Sequence, residues 1–387
     1  MDITQAAKLL DVEASTLEPF SATDPYNSHA LEGYLCKQSD HRYGALVIYK
    51  VNGDTTAPQV IYCTPKLHYP FSKDTDRNYH WPKFKKVRVY EKLDGTNIFA
   101  YRYFDVSGVG YTTFKTRLTP VLRANKFGDF ISLWNSVLDK YPDLRRICFT
   151  YPKEGYGLSF ELYGLRNIIT IKYDTPIDTR LLFLVDNDGC VEIPESATWP
   201  SSINLALKAC AELNSNQEIT EFYNKLRQEA EAKNTHNEDG SITGTEGYVF
   251  YVLTEDDRWM LFKCKPEDIE KIHWASDSIP KISIYNTVLN AVEDFEGDIT
   301  SQAFKDHISV LLAEEYTDVQ IQKSFERINK CIADGVKHLL FKQKLQEVVA
   351  TISLNGDKGF IMRQLSKHFP KNEMSNVYNT MVELKYI

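Results

Sequence analysis
Short strand-like apolar runs, some alternating with polar positions at a period of two and some continuous, recur across the first two thirds of the chain. Hydrophobic and polar positions then fall into a helical period for nearly all of the last third. The short runs predict strands over residues 43–51 and 59–63, separated by an Asn52-Gly53-Asp54 turn, and over 87–92, 98–104 and 111–115. Further strands are expected at 158–163, 168–173 and 181–185, the last closed by Asp186-Asn187-Asp188-Gly189. Two more, at 247–253 and 259–265, flank an acidic turn, Glu255-Asp256-Asp257. Helical spacing predicts a short opening helix at 4–10, an amphipathic helix at 127–139 and helices at 202–213 and 217–233, with a mobile polar surface loop at 234–245. Beyond Pro266, helices are expected near 286–295, 302–316, 318–333, 335–352, 358–369 and 373–385, with Gly297, Gly335 and Gly356 falling between them. This change of texture places a domain boundary near residue 268, mixed α/β before it and α-helical after, with residues 1–80 a candidate added subdomain.

Composition narrows the class. A chain of 387 residues with 43% hydrophobic and 25% charged residues is an ordinary globular protein of two or three domains. No apolar run approaches the length of a membrane span, and the start has no basic-then-apolar leader, so a cytoplasmic location is expected. Seven dispersed cysteines without a C-x-x-C pair fit buried thiols in a reducing compartment. Nine histidines without H-E-x-x-H spacing give no sign of a metal cage, although a nucleotide-bridged Mg²⁺ needs few protein ligands.

A net charge of −8 argues weakly against nucleic acid as a partner, and local charge is the better test. Residues 66–92 carry eight Lys/Arg against three acids, mixed with His68, Tyr69, Phe71, Tyr79, His80, Trp81 and Phe84. That mixture suits phosphates and unstacked bases; its plainer alternative is a partly buried, solvated loop. From Pro266 onward there are fourteen Lys/Arg against eighteen Asp/Glu, so the tail is no general polyanion binder. Local patches remain, Lys337-His338 with Lys342 and Lys344, and Arg363 with Lys367, His368 and Lys371, the last on what reads as a small winged-helix-like helix pair.

Lys92 is the residue with the sharpest chemistry. It ends a strand and opens an Asp94-Gly95 turn within Glu91-Lys92-Leu93-Asp94-Gly95-Thr96-Asn97. A free lysine has a pKa of about 10.4, so a nucleophilic one needs burial or neighbouring cations. Lys263 and Lys265 alternate on one strand and so share a face; beside Lys92 they would favour its neutral amine and neutralise a triphosphate. Their plain alternative is a pair of edge-strand surface lysines.

Lys92-Leu93-Asp94-Gly95 resembles the K-x-D-G nucleophile motif of the covalent nucleotidyltransferases, the superfamily of ATP-dependent RNA and DNA ligases and mRNA capping enzymes. Phe160-Glu161-Leu162-Tyr163-Gly164, Leu182-Phe183-Leu184-Val185-Asp186, Glu246-Gly247-Tyr248-Val249 and Phe262-Lys263-Cys264-Lys265 resemble the later motifs in order, over about residues 80–266. The resemblance implies an α+β fold: a nucleotidyltransferase (ATP-grasp-like ligase) core of antiparallel sheets with flanking helices, plus a C-terminal, mostly α-helical domain. It implies ATP and Mg²⁺, or Mn²⁺ in its place, as cofactors. By the same resemblance Glu161 contacts the ribose, Phe183 stacks on the base, Glu246 serves the metal, and Lys263 and Lys265 handle phosphate.

Within the superfamily the details lean towards phage-type RNA ligases. Where capping enzymes and DNA ligases read K-x-D-G-x-R, this chain has Asn97, a further nucleotide contact by resemblance. Glu91 would accept from the adenine amine and select ATP. Phe114-Lys115-Thr116-Arg117-Leu118 resembles a basic segment after the nucleophile, assigned to Arg117 with Lys115 competing. A helical tail also differs from the β-barrel that follows the core in capping enzymes and DNA ligases.

The implied activity joins 5′-phosphate and 3′-hydroxyl RNA ends through a lysyl-AMP and an adenylylated RNA end, in RNA or tRNA repair, by a monomer. Alternatives are a DNA ligase, a GTP-dependent capping guanylyltransferase, and a non-catalytic RNA-end-binding protein. Each residue has a structural alternative: Glu161 as a strand-end carboxylate paired with Arg166, Phe183 as plain core, Glu246 as a solvated turn acid, and Asp94 and Asn97 as turn residues.

Overall fold
In the computed structural model, all but residues 39, 72–77, 126–127, 151–154, 168–170, 195–202, 206, 212, 238–241, 267–268, 270–278, 280, 296, 314–315, 317, 355–356 and 385 are described. The chain divides into a first unit of residues 1–124 with 130–275 and a second of 125–129 with 276–387. The boundary expected near residue 268 lies outside the described residues.

The first unit opens with helix α1 (Ile3–Leu10), held by a reciprocal cap: Gln5 N donates to Asp2 Oδ1 at 2.8 Å and Asp2 N to Gln5 Oε1 at 3.1 Å. Strands β1 (Leu17–Thr23), β2 (Ala30–Cys36), β3 (Leu46–Val51) and β4 (Asp54–Ile61) form an antiparallel meander. Its apolar face packs on α1 through Leu10, Leu17, Tyr34 and Val47. The first two strands were not visible in the alternation. β1 carries Pro19, which a sheet tolerates here because β1 is an edge strand.

Then come β5 (Phe84–Glu91), β6 (Thr96–Phe104) and β7 (Gly110–Lys115), the two-residue strands β8 (Ala124–Asn125) and β9 (Gly128–Asp129), of which residues 125–129 belong to the second unit, and helices α2 (Phe130–Lys140) and α3 (Pro142–Thr150). β10 (Gly157–Tyr163), β11 (Asp178–Val185), β12 (Val191–Glu192) and β13 (Leu207–Ala211) precede helix α4 (Asn216–Glu231). β14 (Thr235–His236), β15 (Ile242–Thr243), β16 (Tyr248–Thr254) and β17 (Trp259–Cys264) complete the unit.

Two sheets dominate the rest of this unit. The five-stranded sheet has the order β12-β11-β10-β6-β7, and the four-stranded sheet β13-β5-β16-β17. Every ladder within them is antiparallel. One face of the five-stranded sheet, with Ile98, Ala100, Phe114, Leu158 and Phe160, packs under Trp134 and Leu138 of α2 and Leu144 of α3. One face of the four-stranded sheet, with Val87, Val89, Phe250 and Phe262, packs under Ile219, Tyr223 and Leu226 of α4. Because strand side chains alternate, the residues between these, among them Asn97, Glu161, Phe183, Tyr90, Tyr251 and Lys263, fall on the opposite faces. Tyr251 Oη donates to Leu182 O at 3.5 Å and its ring lies 6.2 Å from Phe183, so those opposite faces meet.

Three expectations are corrected. Residues 202–213 do not form a helix: 207–211 are strand β13, paired with β5, and the demand of that open strand edge outweighs the helix preference of the Ala-Leu-Lys composition. The loop expected at 234–245 contains a small ladder, β14 on β15, with residues 238–241 outside the described ones. Of the strand expected at 168–173, 168–170 lie outside the described residues and Ile171 forms only an isolated parallel bridge to Ile242.

The second unit is helical: α5 (Lys281–Asp294), α6 (Gln302–Ala313), α7 (Asp318–Lys323), α8 (Phe325–Val349), α9 (Lys358–Leu365) and α10 (Met374–Glu383). A helix break expected at Gly335 is also absent: this residue does not separate two helices but sits inside the 25-residue α8. A Cβ at this position would stand 2.6 Å from Val288 Cγ1, so the glycine lets α5 and α8 approach closely. The fold class is therefore α+β with antiparallel sheets, followed by helices. Among the described residues no helix is long and apolar enough to cross a membrane.

Gly335→Leu is expected to destabilise the helical unit by roughly 1–3 kcal/mol through overpacking against the stiff Val288. Calorimetry reads this as a lower melting temperature, and an unchanged melt would contradict the close approach.

Candidate functional site
Lys92 follows the last residue of β5, and its backbone is fixed by a hydrogen bond from Lys92 N to Gly247 O at 2.9 Å. Two glycines press this turn into place. A Cβ on Gly95 would lie 2.2 Å from Leu162 O of β10. One on Gly247, whose φ is +122°, would lie 2.2 Å from Cys264 O of β17. The K-x-D-G and E-G-x-V spacings thus have a steric basis: each glycine lets a backbone segment lie directly on a neighbouring strand.

The structure brings Lys92, Glu246 and Lys265 together. Lys92 Nζ lies 2.5 Å from Glu246 Oε2, and Lys265 Nζ 3.2 Å from Glu246 Oε1. The three side chains are 17%, 7% and 7% exposed. The cations expected to face Lys92 are therefore arranged differently: Glu246 stands between Lys92 and Lys265. Lys263 Nζ lies 4.5 Å from the centre of the Tyr69 ring. Helix α4 fixes this strand end, with Tyr223 Oη donating to Lys263 O at 2.9 Å and Arg227 Nε to Lys265 O at 3.0 Å.

Glu161 lies on the same inner face. Part of it reaches the cleft surface, but it is packed densely enough that burial pushes its carboxyl up to about 8. Lys92 and Arg117 oppose that rise; Glu246 and Asp94 add to it. Of the two competing basic residues, Lys115 is wholly buried and donates to Gly44 O at 2.9 Å, Arg117 O at 2.8 Å and Cys63 Sγ at 3.2 Å, a structural role. Arg117 stands over the Tyr43 ring at 6.0 Å, and its buried Nε has no hydrogen-bond partner among the described residues.

The other expected residues divide. Asn97 Nδ2 donates to Ser159 Oγ and Phe160 O, both at 3.0 Å, and its Oδ1 accepts from Thr64 Oγ1 at 2.7 Å, so its amide is largely committed to joining strands. Asp94 ties its turn to a neighbouring segment: Oδ2 accepts from Ile171 N at 2.6 Å, while Asp94 N donates to Tyr173 Oη at 2.7 Å. Phe183 is on the inner face but only 2% exposed. Glu91 is half-buried and close enough to Tyr163 to add to the upward push on that phenol, led by burial, to about 12.

Several contributors were not foreseen: Tyr173, Thr64 and Ser159, and the pair of rings Tyr163 and Tyr173, 4.8 Å apart. Ser159 could have been found, since it shares strand parity with Glu161. Thr64 reaches the site through a loop that no periodicity marks, and Tyr173 ends the segment 168–173, which the pattern reads as a strand without giving it a role at the site. Of the basic and aromatic stretch noted in the sequence, 72–77 lie outside the described residues, Phe71 and Trp81 are buried in the core under α4 with Tyr69, Tyr79 and Phe84 packed against it, and the part around His68 lies beside the site. Lys263 N donates to His68 O at 2.8 Å and His68 N to Leu261 O at 3.3 Å, laying residue 68 along β17. Burial, then Lys66 and Lys263, push the His68 imidazole down. Among the described residues no group of three or more His, Cys, Asp or Glu side chains is placed to hold a metal by itself.

No family model matches the chain, and no curated protein matches it. Among solved structures, two forms of an archaeal ATP-dependent RNA ligase are similar to it at 13% and 14% identity. Each covers 91% of this chain and 84% of its own, with a TM-score of 0.44. A Naegleria gruberi RNA ligase with PPi is similar at 15% identity over 56% of this chain and 66% of its own, with a TM-score of 0.35. At these values the reading of function rests on the site itself.

The Glu161 carboxyl carries a pH prediction. Its value rises from 4.5 to about 8 on folding, so the folded state binds the proton more tightly. This contribution to stability is complete below about 4.5 and is lost as pH rises towards 8. Glu161→Gln is expected to flatten that decline, gaining stability relative to the native chain at pH 8–9 but not at pH 5. Parallel melting curves at both values check it.

Proposed function
We propose that this chain is an ATP-dependent RNA ligase, joining 5′-phosphate to 3′-hydroxyl ends in RNA repair, with cleaved tRNA among its substrates. The observation that carries the reading is the contact of Lys92 Nζ with Glu246, shared with Lys265, beside Glu161 of the other sheet. In the first step Nζ attacks the α-phosphorus of ATP: an N–P bond forms, the bond to the β-phosphate oxygen breaks, and pyrophosphate leaves. An RNA 5′-phosphate oxygen then attacks the same phosphorus, the N–P bond breaks and the Lys92 amine is restored; a 3′-hydroxyl next attacks the 5′-phosphorus, giving up its proton, the anhydride bond breaks, AMP leaves and the phosphodiester forms.

The chain's own contribution is alignment and charge. Lys263, near the end of β17, and Lys265, just after it, are one strand removed from β5 and offset the negative charge of the triphosphate. The unpartnered Nε of Arg117 is a donor that an anion would satisfy, so the residues present fit a nucleotide phosphate. Glu161 meets the ribose as an acid able to donate its own proton at neutral pH. Glu91 accepts from the exocyclic amine of adenine, Asn97 keeps one lone pair for the ligand, and Phe183 stacks on the base once ligand entry uncovers its ring.

A site with one carboxylate also fits Mg²⁺ or Mn²⁺, which commonly takes a single carboxylate together with substrate phosphates. Glu246 would hold it, and bound there it supplies neutralisation of phosphate charge.

The test is covalent labelling with ATP and Mg²⁺. The native chain is expected to retain AMP from ATP and not GMP from GTP, and Lys92→Ala to retain none. In that variant Glu246 keeps Lys265 as a partner, so the fold is not left with an unpaired buried carboxylate. Glu246→Ala is expected to slow labelling by about 100-fold or more. Nucleotide retained by Lys92→Ala would overturn the assignment, and labelling by GTP alone would point to capping chemistry.

A further inference from the structure
The helical unit holds two separate cores strung on one helix. The first half of α8 contributes Ile328, Cys331 and Ile332 to a core with Val288, Phe304 and Ile308. Its second half contributes Leu345 and Val349 to another, with Ile361, Leu365, Phe369, Val377 and Met381. Charge divides at the same place. Residues 281–334 carry five Lys/Arg and ten Asp/Glu, whereas residues 335–387 carry eight and four. A tail that is acidic on average therefore ends in a basic three-helix piece.

Within that piece α9 presents an ordered stripe. Asp357 caps the helix by accepting from Phe360 N at 2.7 Å, and the turn after it is kept by Ser366 N donating to Met362 O at 3.0 Å and Lys367 N to Gln364 O at 3.1 Å. Ile361 and Leu365 point into the core. Phe360, Arg363 and Lys367, spaced three and four apart, fall together on the outward side. Phe360 is 41% exposed, and Arg363 and Lys367 are exposed and make no ion pair with any described residue. Lys358 and Lys371 are exposed at either end of this segment, and no acidic side chain lies between them in sequence.

A solvated helix face needs no exposed phenylalanine between unpaired cations. A polyanion with stackable bases uses both features: phosphates take the cations and a base takes the ring. We propose that the face formed by Phe360 and Arg363 of α9 and Lys367 of the turn after it docks the RNA strand being joined, through its phosphates and one stacked base. This rests on the reading of the chain as an RNA ligase and adds where RNA is held outside the adenylylation cleft. The face gives no base-edge code, so it selects RNA length and shape rather than sequence.

The experiment uses the full chain with Phe360→Ala, Arg363→Ala and Lys367→Ala combined, all at exposed positions, and Lys330→Ala as a control in the acidic half. Lys92 labelling by ATP without RNA is expected to be unchanged in both. In ligation the triple variant is expected to raise KM for a single-stranded RNA about tenfold or more. Its RNA affinity should vary less steeply with salt, the log–log slope shrinking by about 1.4 for the two lost cations.

The control should match the native chain. Unchanged KM and salt slope in the triple variant overturn the docking face while leaving the ligase reading intact; failure of the native chain to label overturns the ligase reading instead. Binding to anionic lipid vesicles in place of RNA, lost in the same variant, would also sink the proposal.

Discussion
One carboxylate shared by two amines sets the terms for the whole first unit. Bringing Lys92, Glu246 and Lys265 out of water costs several kcal/mol for each charge unless the geometry is held closely. Much of the surrounding structure holds it. Gly95 and Gly247 let the two turns lie on backbone, and α4 grips the end of β17 through Tyr223 and Arg227. Asp94 ties the Lys92 turn to the segment around Ile171 and Tyr173. With the Glu161 carboxyl raised to about 8, that residue is mostly neutral at pH 7. The cleft then contains the cations Lys92, Lys263, Lys265 and Arg117 against fewer charged acids, an electrostatic shape suited to a phosphate-bearing ligand.

The range of the forces involved decides how much of this was readable in the sequence. β5, β6, β10, β16 and β17 read as strands because each is a short run rich in β-branched and aromatic residues, one face of which packs on a helix, and their expected positions agree with the structure to within a few residues. Motif order led to the proximity of Lys92, Glu246 and Lys265 because strand parity and Gly-containing turns are local properties. What could not be read depends on distant contacts. Lys115 and Arg117 are two residues apart and equally basic in sequence. Only the approach of Gly44 and Cys63 buries the first and leaves the second beside Glu161. β13 has helical composition and becomes a strand because β5 offers an edge. Gly335 looked like a helix break because composition alone does not distinguish a chain reversal from a tight helix crossing.

The aromatic residues link these levels. Tyr90, Tyr251 and Phe183 line the meeting of the two inner faces, while Tyr43 lies beneath both Lys66 and Arg117. The first three rings pack the two inner faces together, and the attraction of the Tyr43 ring for cations helps hold Lys66 and Arg117 in place. The N-terminal meander thus does more than cover a surface. Its Tyr43-Gly44 turn supplies the ring under Arg117 and the carbonyl that immobilises Lys115.

The continuous α8 has one more consequence. Because a helix turns about 100° and advances about 1.5 Å with each residue, its length acts as a gear between the cores it threads. One residue inserted between Leu339 and Phe341 would leave each core's own contacts on one side of the insertion yet swing the basic end by more than a quarter turn. In this chain, where the terminal piece faces is encoded by a residue count, independent of which side chains fill it.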